Sequence, residues 1–337
     1  MMARIVVIAV VSTRLLLAGL APGESNIGAY TWFRYTAEME TDELRESRFG
    51  LERGYLRWNH RFTDRIDSRV NVDIYSTDKY PAGAGLKLKY GYLNFKGLIR
   101  DAKLTIGLQK SYFGLIYDWK YPTIQKCLED KEKVIASADY GISLNGNIPK
   151  GYGEYAIQVV NGEGYKKYKS LVNLAPALLV NLRVIPIPGI TIGGSALFER
   201  SGPEYDRRLL HAGIARVVIG PLTIWAEYLG AELGPEGNTT RGSGFMVMPA
   251  LRLRELTGID IDLIARLDRW DEDVEEIGDA SIRATGGFNW HLLRGKKGKI
   301  GVVLQVNWVR TIYEDPDQGP EDAVMAQLRW EFVTKPL

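Results

Sequence analysis

Residues 65–76 read Arg-Ile-Asp-Ser-Arg-Val-Asn-Val-Asp-Ile-Tyr-Ser (RIDSRVNVDIYS). Ile66, Ser68, Val70, Val72 and Ile74 alternate with Asp67, Arg69, Asn71, Asp73 and Tyr75. Successive side chains of a β-strand point to opposite faces, so this period of two predicts a strand with one apolar and one polar face. The pattern alone leaves open what lies against each face. In a soluble sheet the apolar residues meet a core and the charges meet bulk water. In a membrane barrel the apolar residues meet lipid and the charges line a water-filled lumen.

The rest of the chain speaks for the barrel. Of its 337 residues 45% are hydrophobic and 25% charged. That composition suits a spanning barrel as well as a soluble protein, because only every second strand residue must be apolar. No internal apolar run approaches the about 18 residues that a spanning helix needs. Alternating segments of roughly ten residues recur instead, separated by Gly, Pro, Asn and Asp. They fall at 25–38, 49–62, 65–76, 86–98, 102–109, 137–147, 151–161, 172–184, 189–199, 206–219, 221–231, 243–254, 258–269, 279–291, 299–310 and 322–332, sixteen in all.

Segment 258–269 is among the cleanest, with Ile259, Ile261, Leu263, Ala265 and Leu267 opposite Asp260, Asp262, Arg266 and Asp268. Others break the rule. Segment 206–219 keeps parity only with a bulge between Leu209 and Leu210, and 86–98 changes phase near Leu93. Pro176 and Pro249 interrupt 172–184 and 243–254, where each removes a ladder hydrogen bond.

Connections after odd-numbered segments are long (39–48, 77–85, 110–136, 162–171, 200–205, 232–242, 270–278, 311–321), and most of the others are tight. An up-and-down membrane barrel alternates in this way, with short periplasmic turns and longer outer loops. Trp58, Trp290, Trp308 and Trp330 fall on outward faces near strand ends, and Trp270 closes a strand on the long-loop side, as aromatic girdles would require. The expected fold is therefore all-β: a transmembrane antiparallel up-and-down β-barrel of about 16 strands. Residues 1–23 (MMARIVVIAVVSTRLLLAGLAPG) read as an export signal, with basic Arg4, the apolar run Ile5–Val11 and small residues at 18–23. Residues 24–337 then form the barrel. Without Arg4 and Arg14 the basic and acidic counts are equal at 41, so whole-chain charge points to no nucleic-acid partner.

Catalytic signals are thin. His60, His211 and His291 are the only histidines and lie far apart, with His60 on the lipid side. The single cysteine, Cys127, forms no internal disulfide. No metal-ligand spacing, nucleophile elbow or phosphate-cradling glycine loop occurs. The expectation is no enzyme, no metal and no cofactor.

If Ile66–Ile74 face lipid, the preceding strand faces it through Leu56, Trp58 and Phe62. Arg53, Arg57 and Arg61 then point into the lumen, each about 13 Å from the next along the strand. Arg69 lies on the neighbouring strand, with Lys87 and Lys89 on the one after. Guanidinium groups bind carboxylate or phosphate bidentately, so this set suits an anion relay. Asp67, Asp73, Asp260, Asp262 and Asp268, with Glu154 and Glu227, oppose a purely cationic lining. Two alternatives stand: a basic track, or a wall cross-linked by Arg–Asp pairs with no ion preference.

Connection 110–136, with 27 residues, is the longest, and loops of that length are seldom without function. Folded inward as a constriction it brings both signs to the narrowest section, including Lys110, Asp118, Lys120, Lys126, Glu129 and Asp130. The competing picture is an external solvated loop.

Three stretches carry a resemblance: LTIGLQKSYFG (104–114), ADYGISLNG (138–146) and YAIQVVNGEG (155–164). In order and spacing they resemble the phosphate-selective porin O/P family, and the ending DAVMAQLRWEFVTKPL resembles the closing strand of bacterial outer-membrane barrels. The resemblance implies a sixteen-stranded, usually trimeric channel in the outer membrane of a Gram-negative-type bacterium, embedded in lipid and lipopolysaccharide. It implies passage of small hydrophilic solutes and, in the named members, phosphate. The expected function is passive diffusion, with a preference for phosphate or other small anions as its finer form; the alternative is a non-conducting structural or adhesive barrel.

Overall fold

The computed structural model describes residues 19–166, 175–201, 206–234, 239–294 and 301–337; most of the expected leader, residues 1–18, lies outside them. The strands are β1 (Ser25–Glu40), β2 (Glu43–Arg61), β3 (Ile66–Ser76), β4 (Ala84–Lys96), β5 (Ala102–Lys110), β6 (Ala138–Ile148), β7 (Gly153–Val160) and β8 (Ala177–Ile187), followed by β9 (Ile190–Ser201), β10 (Asp206–Ile219), β11 (Leu222–Gly234), β12 (Thr240–Arg252), β13 (Ile261–Asp271), β14 (Ser281–Leu293), β15 (Val302–Tyr313) and β16 (Glu321–Val333). Each pairs antiparallel with its chain neighbours, and β1 pairs with β16 from Gly28↔Val333 to Glu40↔Glu321, closing the sheet. All sixteen expected segments are strands.

The opening stretch is β3. Val70 and Ile74 are 41% and 37% exposed on the outside, whereas Asp67 and Asp73 are 0% and 1% exposed on the inside. The apolar face therefore turns outward, the reverse of a soluble fold. Leu56, Trp58, Leu263 and Leu267 continue this outer belt on other strands.

The sequence irregularities have structural causes. β10 pairs continuously with β9 and β11, without the expected bulge at Leu209–Leu210. It is apolar on both faces because Leu210, Ala212 and Ile214 point inward into a buried cluster. The phase change in β4 lies at Lys89, which is the extra residue between Asn71↔Tyr90 and Val72↔Leu88, rather than near Leu93. Pro176 precedes β8. Pro249 keeps its place opposite Ile224 in β11, while pairing with β13 lapses between Val247 and Ala250, as a residue without an N–H requires.

Three expectations need correction. The connection expected at 39–48 is a tight hairpin, with β1 and β2 prolonged to Thr41–Asp42, both at positive φ. Trp270 is not in an outer girdle: it shares the inward face of β13 with Arg266 and Asp268 and is 7% exposed. Trp308, outward as expected, lies mid-strand, opposite Gly286 and Val324. The residues after Phe332 lie along the start of β1, where Leu337 and Ser25 exchange backbone hydrogen bonds and Thr334 N–H donates to the Ile27 carbonyl.

The sidedness of β3 is testable. Val72→Arg on the lipid face should destabilise the barrel by about 2–4 kcal/mol, whereas Asn71→Ser on the lumen face should leave it near the parent. Urea titration of the refolded barrel in lipid, read by heat-modifiable gel mobility, measures both. Equal effects would mean that the faces are misassigned.

Candidate functional site

The long connection between β5 and β6, residues 111–137, packs against the inner wall of the barrel. Phe113, Leu115, Ile116, Leu128, Val134 and Ile135 are buried from solvent. They pack on the inner wall of β8–β13 through Leu179, Leu197, Leu210, Leu229, Met246, Met248 and Ile264. Each such side chain taken from water stabilises the docked loop by about 1.5–3 kcal/mol. A short helix, α1 (Leu128–Lys131), turns the chain within the loop.

Polar clamps tie the loop down on the same side. Arg183 of β8 holds Asp118 at 2.8 Å, and Arg283 of β14 holds Glu132 at 3.0 Å. Arg266 donates to the Lys126 carbonyl at 2.7 Å and pairs with Asp268 at 2.6 Å. Arg208 joins Glu199 to the Val134 carbonyl. At the tip, Arg329 donates to the Tyr121 carbonyl at 2.6 Å, and the Asn307 side-chain carbonyl accepts from Ile124 N–H at 2.7 Å. The Tyr121 ring meets Trp32 at 4.4 Å, and its hydroxyl accepts from Arg53 at 3.1 Å. The loop thus leans on β7–β16 and reaches β1 and β2 only at its tip, leaving the β3–β6 wall facing the remaining lumen.

That open side carries the basic set. Arg53, Arg57, Arg69, Lys87 and Lys89 all point inward. Arg53 is stacked among Trp32, Tyr55 and Tyr121, and Arg53 and Lys87 flank Asp73 at 3.9 and 3.2 Å. Arg57 reaches Glu331 at 3.8 Å, and Arg69 donates to Asn59 at 2.8 Å. Lys89 meets the Ser137 hydroxyl. Asp67 is taken by Lys96 and Asn94. Arg61 departs from the track: it sits at the periplasmic mouth, bonded to the Leu20 carbonyl and Asp64.

Among the acids and loop residues three corrections follow. Asp260 precedes β13, outside the lumen, and is held by Arg294 at 2.7 and 2.9 Å. Asp262 faces inward against His291 at 2.8 Å, whereas Asp268 is covered by the loop. Glu129 does not line the pore; it is buried at 0% exposure beneath the loop. Lys120 and Lys126 are exposed, with Lys126 paired to Asp130 at 2.9 Å, and Lys110 lies 4.8 Å from the rings of Tyr112 and Tyr117.

Glu129 meets Glu227 of β11 in that buried place. Leu115 N–H donates to Glu129 at 2.8 Å and to Glu227 at 2.9 Å, and Ile116 N–H donates to Glu129 at 3.1 Å. Gly114, at φ +44°, permits the approach, since a Cβ there would overlap both carboxyl groups. The second oxygens of both carboxyls have no hydrogen-bond partner among the described residues. Two carboxyls this close and this buried share a proton.

Sequence reasoning missed Arg34, Lys103, Arg183, Arg208, Arg283 and Arg329, although most lie on the polar phase of their strands. It also missed Tyr30, Tyr90 and Tyr92, which form an inward row with Tyr55, the one tyrosine whose lumen position the alternation beside Arg53 and Arg57 already gave. Tyr30 and Tyr55 share the parity of Arg34 and Arg53, which was the available signal.

No family model and no curated protein matches the chain. Solved structures do. An anion-selective porin from Comamonas acidovorans aligns with a TM-score of 0.67 at 10% identity, over 91% of this chain and 99% of that one. The outer membrane channel DcaP of Acinetobacter baumannii aligns at 0.63 and 12% identity, over 93% and 100%. The outer membrane protein opdK from Pseudomonas aeruginosa aligns at 0.58 and 8% identity, over 92% and 99%. The fold is that of the bacterial outer-membrane porins. With its apolar belt facing outward, the chain is an outer-membrane barrel.

The carboxyl pair sets a pH dependence. Burial pushes Glu129 above the usual carboxylate range, outweighing its N–H donors. A raised folded pKa supports the docked loop fully below the unfolded value and loses that support as pH climbs through the folded one. Docking is therefore firmest in acid. Open-channel current noise should rise as pH climbs above the unperturbed carboxylate value of about 4.3. Glu227→Gln, which removes the like charge, should flatten the rise. An unchanged rise in that variant would reject the shared proton.

Proposed function

We propose that the chain is a passive diffusion channel for small hydrophilic solutes that favours anions, phosphate among them. One observation carries this reading. The lumen acids Asp118, Glu132, Glu199 and Asp268 are spent on arginine clamps beneath or beside the loop. On the open side Arg69, Lys89, Lys103 and Lys110 have no ion pair within 4.0 Å among the described residues, and Arg57 has only Glu331 at 3.8 Å. The whole lumen is mixed in sign, but the part left to solutes is basic.

The mechanism is geometric and electrostatic. Barrel width and the docked loop set a size limit. The uncompensated cations lower the energy of an anion in the slot, and fixed rings of charge select among ions in this way. A membership in the phosphate-selective porin O/P family fits the three strand motifs, and a homotrimer and cleavage of residues 1–23 belong to the same proposal. The Comamonas porin is anion-selective, which supports the charge reading and concerns that protein. The second reading, a non-conducting structural barrel, draws on the packing of the loop against the inner wall of β8–β13.

Single-channel recording in planar bilayers separates them. The purified protein should give stable conductance steps and, in a potassium chloride gradient, a reversal potential of the sign for chloride preference. Arg57→Gln combined with Arg69→Gln should move that potential toward zero. Absence of steps would favour the structural barrel, and steps without chloride preference would remove the anion clause alone.

A further inference from the structure

The cations of the open side are interleaved with tyrosines. By strand register Arg57, Asn71 and Tyr90 share one level of the wall, and Asn59, Arg69 and Tyr92 share the next. Arg57 lies within electrostatic reach of Arg69, Glu331, Tyr90 and Tyr92, and Tyr112 within reach of Tyr92, Glu154, Tyr90 and Arg69. The Tyr90 and Tyr92 rings are 6.3 Å apart at 68°, an edge-to-face pair. Lys110 completes the group at 4.8 Å from the Tyr112 ring. The Arg57 side chain keeps 17% of its surface open to solvent, and Arg69 behind it keeps 5% with its Nε–H donated to Asn59.

A bare inorganic anion needs only hydrogen-bond donors, and rings beside the cations add nothing for it. A carboxylate carried on a ring uses both parts. Its oxygens accept from the guanidinium forks, while its ring packs on tyrosine faces or edges. We propose, resting on the anion-favouring reading above, that Arg57, Arg69 and Lys110 with Tyr90, Tyr92 and Tyr112 form a lumen subsite for ring-borne carboxylates. Aryl acids and sugar acids are the two sources of that chemistry. Arg57 and Arg69 hold the carboxylate, and the tyrosines on β4 and at the start of the loop hold the ring.

Chloride current through the full-length channel in a planar bilayer tests this. Acetate, inorganic phosphate, 4-hydroxybenzoate and glucuronate are added in turn, and the concentration that halves the current is read. Two aromatic contacts correspond to about tenfold tighter binding, so a ring acid should block at about one tenth of the acetate and phosphate concentrations. Block by 4-hydroxybenzoate alone assigns the aryl source, block by glucuronate alone the sugar source, and block by both the shared class. Tyr92→Leu and Tyr112→Leu should bring the ring acids to the acetate level with the reversal potential unchanged; heat-modifiable mobility confirms that these variants fold. Phosphate or acetate blocking as well as the ring acids, or leucine variants that block like the parent, would overturn the subsite while leaving the anion preference intact. Loss of chloride preference in the parent would instead overturn the reading on which it rests.

Discussion

In the hydrocarbon of a bilayer there is no water to satisfy a backbone N–H or carbonyl, and everything in this molecule follows from that constraint. A sheet can enter only if it has no edge, and here the β1–β16 pairing removes it. Closure dictates the two faces: outward residues must be apolar, and inward ones meet water. The charges of β3 are tolerated because the barrel gives them an aqueous interior. The tail from Val333 to Leu337 extends the same logic to the periplasmic rim by satisfying the first backbone groups of β1.

Water inside the barrel creates the second condition. A lumen-facing strand has no packing partner unless something enters, and the loop at 111–137 supplies one. Where it docks, the wall can be apolar on its inner face, as Leu210, Leu229, Met246 and Met248 are. Where it does not dock, the wall stays polar and basic. Charge sorting is a consequence. Arginines beneath the loop sit in a poorly hydrated place and take a carboxylate each, whereas Arg69 and Lys89 across from it, each 5% exposed, have Asn59 and the Ser137 hydroxyl as partners in place of a carboxylate.

Strand number and facing were legible because period two is a local property of the chain. Segment 206–219 shows where such reading stops. Its missing parity suggested a bulge, but the inner face of β10 is apolar because a distant loop lies on it. No local pattern distinguishes these causes. The same holds for the acids. Asp67, Asp73 and Asp268 share one alternating pattern, yet Asp268 is sealed under the loop by Arg266 while Asp73 stands beside Arg53 and Lys87. Glu129 reads as one more charge in a mixed loop, and only the fold brings it to Glu227. Sign counting over the sequence therefore gave a mixed lumen, because it cannot see which charges a tertiary contact removes.

Few uncompensated cations are enough to matter. A unit charge about 8 Å from a solute's path, at an effective dielectric constant of about 20, contributes about 2 kcal/mol before screening. At physiological ionic strength the Debye length is also about 8 Å, so each cation acts mainly on an ion level with it. On the proposed anion-favouring reading, selectivity depends on how the cations are spaced along the path rather than on their total. The bulge at Lys89 bears on this spacing. By inserting one residue it turns Tyr90 and Tyr92 inward below Lys87 and Lys89, so aromatic rings follow charges on one strand. The irregularity in the β4 ladder is thereby what places both kinds of side chain on the open wall.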